Sequence, residues 1–72
     1  MEYIVRADFY PNGEIVPLGI TDCYGNSIFV NRVIKVIKIT ENNIHFKCSA
    51  SENRVLFLSF AGGKWTVEVS DG

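Results

Sequence analysis

The residues with distinctive chemistry in this chain are three soft metal ligands and a run of cations. Cys23, His45 and Cys48 are the soft ligands. His45 and Cys48 lie three residues apart, a spacing that sends them to opposite faces of a strand. Cys23 stands alone in a turn-rich segment, and the paired Cys or His spacing of a structural zinc site is missing. No metal or other cofactor is therefore expected. Cys48 reads as a small core residue and His45 as a solvated strand residue. Two cysteines make a thin scaffold for a secreted domain, so they read as free thiols rather than a Cys23–Cys48 bridge.

Arg32, Lys35 and Lys38 recur at three-residue intervals in "NRVIKVIKIT", and Lys47 follows in the next hydrophobic run. If those two runs pair across "ENN", the four cations could share one face and track the phosphates of a single-stranded nucleic acid, with Tyr3, Tyr10, Tyr24 and Phe29 as exposed aromatic platforms. The chain carries seven Lys+Arg against eight Asp+Glu, a formal charge of −1. Non-specific nucleic-acid binders usually carry a basic surplus. The balance therefore favours a solvated face whose lysines keep an apolar sheet soluble.

Catalysis has little support in the sequence. His45 has no assignable partner, Asp8, Glu14 and Asp22 lie near turns where carboxylates bond the backbone, and no nucleophile-elbow, phosphate-loop or zinc-protease motif occurs. A chain of 72 residues also has little material to enclose a substrate pocket. The reading is a non-catalytic module.

The elements that must position these residues are strands. Turn signals at Pro11-Asn12-Gly13, Asp22–Asn26, Glu41–Asn43, Ser51–Asn53 and Ala61–Gly63 separate runs rich in Val, Ile, Phe and Thr, residues that suit a pleated, half-buried surface. The spacing predicts strands near 3–10, 14–21, 27–30, 33–40, 44–50, 54–60 and 64–69. In the second, Val16, Leu18 and Ile20 share a face, and Pro17 marks an edge or bulge. In the fifth, Ile44, Phe46, Cys48 and Ala50 point inward. The run 33–40 is too rich in β-branched residues for a helix. As a regular strand it places one lysine on each face, and a bulge near Lys35 or Val36 would turn both outward, with Asn31-Arg32 as the corner before it.

"RVLFLSF" is apolar on both faces. Either the strand is central and covered on both sides, or its outer face, Leu56, Leu58 and Phe60, is the candidate protein-interaction surface with Tyr10 or Tyr24 flanking it; a bulge or bend that turns some of them inward is the alternative. So small a core gains from association, which makes the partner another protein or a second copy of the chain, a homodimer. No apolar run reaches the length of a membrane span, and "MEYIVRADFY" lacks a secretory pattern. The expectation is a cytoplasmic protein.

Three segments carry a resemblance. Pro11, Gly13, Ile15 and Pro17 form a Pro-x-Gly-x-Ile/Val-x-Pro hairpin. Asn31, Arg32 and Val33 form a corner, and Leu56, Phe57, Gly63 and Trp65 form a closing Gly-x-Trp hairpin. Together they resemble a group of short bacterial proteins without assigned activity. The resemblance implies a small all-β, SH3-like barrel in a bacterial cytoplasm. Where those proteins often have an acid at the corner, this chain has Asn31. The fold expected for residues 1–72 is thus one small antiparallel β-barrel domain of six or seven strands, SH3-like, with an OB-like barrel as the alternative.

Overall fold

The computed structural model describes residues 2–71. Six antiparallel strands run in sequence order across one sheet: β1 (Ile4–Phe9), β2 (Ile15–Thr21), β3 (Ser27–Thr40), β4 (Asn43–Ala50), β5 (Arg54–Ala61) and β6 (Lys64–Asp71), with a short 3₁₀ turn at Ser51–Asn53. The sheet curls into a half-barrel consistent with a small SH3- or OB-like barrel.

Turn chemistry sets these boundaries. In the β1–β2 hairpin the Tyr10 amide donates to the Glu14 carbonyl at 2.9 Å, the Glu14 amide donates to Asn12 Oδ1 at 3.0 Å, and Gly13 takes a φ of 89°. A side chain at Gly13 would be strained there. The β2–β3 turn is organised by Asp22, whose Oδ1 accepts the amides of Tyr24 and Asn26, both at 2.9 Å. These bonds, the Asn26 amide foremost, hold the Asp22 carboxyl below its ordinary 3.8.

The expected third and fourth strands are one. β3 is fourteen residues long and belongs to two ladders. Its first part pairs with β2, Gly19 opposite Phe29 to Thr21 opposite Ser27. Its remainder pairs with β4 from Val30 opposite Ala50 to Thr40 opposite Asn43, with register shifts that leave Asn31, Ile34 and Ile39 unmatched. Each unmatched residue is a bulge that bends the strand, so the Asn31 corner turns the chain without ending the strand. β2 carries a bulge of its own: Arg6 faces Gly19 and Ala7 faces Pro17, which leaves Leu18 unmatched. Leu18 is therefore exposed and Pro17 buried, the reverse of the simple alternation expected there. Gly19 opposite Phe29 is required by close approach, since a Cβ on it would lie 2.7 Å from the Ile28 carbonyl oxygen.

The core is Ile20, Ile44, Phe46, Cys48, Ala50, Leu56 and Leu58, all buried. The inward set expected for β4 is the set observed. Trp65 closes one end, with ring centroids 4.9 Å from Phe60 and 6.0 Å from Phe46, while Phe9 packs edge-on to Phe60 at 5.8 Å. The sheet order leaves β1 and β6 unpaired with each other, and an open cleft of about 480 Å³ runs between them, lined by Tyr3, Val5, Trp65 and Val67.

Candidate interaction surfaces

The β4–β5–β6 register fixes which side of β5 is which. Leu56 stands between Cys48 and Val69, Leu58 between Phe46 and Val67, and Phe60 between Ile44 and Trp65. All three therefore face the core: Leu56 and Leu58 are fully buried and Phe60 is half-buried. They do not form the outer surface expected from sequence. A strand apolar on both faces gives no parity signal, and here parity is set by the tight turn before it, where Glu52 and Asn53 both adopt positive φ. The outer face of β5 is Val55, Phe57 and Ser59, with Phe57 40% exposed.

The cations divide between two faces. Arg32 lies opposite Ser49, Lys35 opposite Lys47 and Ile37 opposite His45, all on the outer side, because Ser49, Lys47 and His45 alternate with the buried residues of β4. Lys38 lies opposite buried Ile44 and so points to the inner side. There it lines a gap of about 250 Å³ with Glu14, Ile15 and Val36, where β2 and β3 diverge. The bulge falls at Ile34, one residue before the expected position. That single step sends Lys35 out and Lys38 in. Arg32, Lys35 and Lys47 thus share a face; Lys38 does not join them.

The aromatics proposed to accompany the cations lie elsewhere. Tyr10, Tyr24 and Phe29 are exposed, but they sit in the two hairpin turns and in the β2-paired part of β3, and Tyr3 is half-buried against the core. The aromatic residue beside the cations is Phe57, whose ring lies 5.9 Å from Lys47 Nζ. The sequence does not point to it, because a strand apolar on both faces gives no signal that Phe57 is on the outer one.

His45 does have partners, which only the register reveals. Ser59 is its cross-strand neighbour on β5, and Ser59 Oγ lies 3.3 Å from Nδ1. Asn43 Oδ1 lies 3.1 Å from Nε2. With the proton on Nε2 the ring donates to Asn43 and accepts the Ser59 hydroxyl proton, so all three side chains are satisfied. Ser59 sits in a strand paired on both sides, where backbone amides are committed to the ladder. The His45–Ser59 contact bridges β4 to β5, and the Asn43–His45 contact runs along β4.

The long edge of β3 is the other exposed feature. Beyond Val30 it pairs only with β4, because β2 has diverged. Ile34, Val36, Ile37 and Ile39 are 44–58% exposed along it. They lie on both faces of this strand edge, Ile37 outward beside Lys35 and Val36 inward beside Lys38.

Cys23 is an exposed free thiol and Cys48 a buried one, pushed up to about 11 by burial. Among the described residues no group of three or more His, Cys, Asp or Glu is placed to hold a metal ion, and no helix is long and apolar enough to cross a membrane. In comparison with known proteins, the chain matches no family model, no curated sequence and no solved structure.

Proposed function

We propose that this chain is a non-catalytic assembly module that joins a second copy of itself by adding strands at the open edge of β3. The observation that carries the reading is the unpaired edge of β3 over Ile34–Ile39, apolar and exposed at four of its six positions. A strand edge of this length offers unpaired amides and carbonyls to any second strand. Natural edges are usually short, charged or covered; this one carries Lys35 and Lys38 but is long and is apolar at four exposed positions.

Surface area supports the same reading. A folded monomer of 8.1 kDa is expected to expose about 4,500 Å², whereas this chain exposes 5083 Å². The surplus of about 600 Å² approaches the roughly 800 Å² that each partner buries in a standard interface. Antiparallel pairing of two β3 edges with Val36 on the two-fold axis sets Lys35 against Ile37 of the other copy and Lys38 against Ile34. No lysine then stands directly against another, which would be unfavourable.

Sedimentation velocity across a concentration series tests the reading. The wild-type chain sediments as a dimer, and the Ile34→Lys/Ile39→Lys double variant, changed only at exposed positions, sediments as a folded monomer. A wild-type chain that stays monomeric at high concentration overturns it.

A further inference from the structure

We infer that the outer face of the β3–β6 sheet is a binding site for single-stranded nucleic acid, with Arg32, Lys35 and Lys47 on the phosphates and Phe57 as the platform for a base. The site adjoins the β3 edge, since Lys35 and Ile37 belong to both, but its contacts at Lys47 and Phe57 lie on β4 and β5.

Charge segregation carries the inference. Cross-strand register places Arg32, Lys35, Lys47 and Lys64 on this face, and among the described residues Glu68, opposite Phe57, is its one acid. Four of the chain's seven basic residues and one of its eight acids thus share one surface, although the whole chain is at −1. Net charge hides this arrangement; the fold sorts it.

Lys35 and Lys47 are directly opposed across the ladder, an arrangement that destabilises a sheet when nothing neutralises it. The ion pairs among the described residues belong to Arg54, with Glu52 and Asp71, so neither lysine has an acid to relieve the repulsion. An anion between them would. Beside the pair, Lys35, Ile37, His45, Lys47, Phe57 and Ser59 surround a shallow depression of about 200 Å³. Phe57 is exposed within it, with Lys47 opposite on β4, its Nζ over the ring at 5.9 Å, and Glu68 opposite on β6. Cations that follow a backbone and an aromatic ring that stacks a base are the two parts of a single-strand site. A duplex keeps its bases stacked and out of reach of that ring.

Fluorescence anisotropy with a short labelled oligothymidine tests the site, with a duplex and inorganic polyphosphate as competitors. Binding is expected with a log–log salt slope near −2, about −0.7 for each of three phosphates. Lys47→Glu is expected to weaken it about tenfold or more while the chain stays folded by thermal unfolding. Lys38→Glu, on the inner side, is expected to change it by less than about twofold. Phe57→Ala is expected to weaken oligothymidine about tenfold and leave polyphosphate unchanged. No salt-dependent binding, or equal sensitivity to Lys38→Glu and Lys47→Glu, overturns the inference. So does competition by duplex or polyphosphate that matches oligothymidine and ignores Phe57, which would make the face a plain anion site.

Discussion

Lys35 and Lys47 face each other across the β3–β4 ladder, placed there by the bulge at Ile34 one residue earlier. Two like charges directly opposite on one face oppose sheet formation by roughly 0.2–1 kcal/mol. Lys47→Glu converts the pair to an attractive one. Its urea midpoint is expected to rise at low ionic strength, and the gain is expected to shrink in high salt as screening shortens the interaction.

The parity of β5 predicts unequal costs for neighbouring residues. Leu58 is fully buried and Phe57 is 40% exposed. Leu58→Ala is expected to cost about 2–5 kcal/mol, whereas Phe57→Ala, with less surface to lose, is expected to cost about 1 kcal/mol. Denaturant titration of the two variants measures the difference, and the reverse order would invert the face assignment.

That strand also marks where the sequence stops being legible. The all-β class, the turns and most strand limits follow from Asn-Gly, Asp22 and the β-branched runs, because these are local signals. The inward set of β4 follows from strict alternation. "RVLFLSF" offers no alternation, so its parity is decided by the turn at Glu52-Asn53, and Leu56, Leu58 and Phe60 face the core rather than the outer side expected for them. Bulges are the second barrier. One unmatched residue at Leu18 or Ile34 reverses the faces after it up to the next bulge, and no residue type announces where it falls. The cation site is therefore half legible: Arg32, Lys35 and Lys47 converge, Lys38 leaves, and Phe57 enters.

The two cysteines are expected to react differently. Cys23 is exposed, while burial raises the Cys48 thiol from 9.0 to about 11. At about pH 8 an alkylating reagent needs an accessible thiolate, so mass spectrometry should find Cys23 modified in the folded chain and Cys48 only after denaturant is added. The raised value also fixes a sign. Between pH 9.0 and about 11 the unfolded chain gives up the Cys48 proton first, so this contribution to stability is intact below pH 9.0 and declines as pH rises through that window. Cys48→Ala should flatten that part of the alkaline profile.

Asp22 predicts the opposite limb. Its carboxyl lies below 3.8 in the folded chain, held by the amides of Asn26 and Tyr24. Its contribution is present above pH 3.8 and is lost as pH falls through the depressed folded value. Asp22→Ala should speed hydrogen exchange at the Tyr24 and Asn26 amides at neutral pH and remove this part of the acid dependence.

The open edge of β3 is tested most directly by amide hydrogen exchange over residues 34–39 as a function of protein concentration. The alternate amides that β4 does not engage are expected to exchange rapidly in dilute protein and to become protected on concentration, while β1 and β2 amides stay unchanged. Exchange at 34–39 that does not respond to concentration would contradict the pairing of two β3 strands.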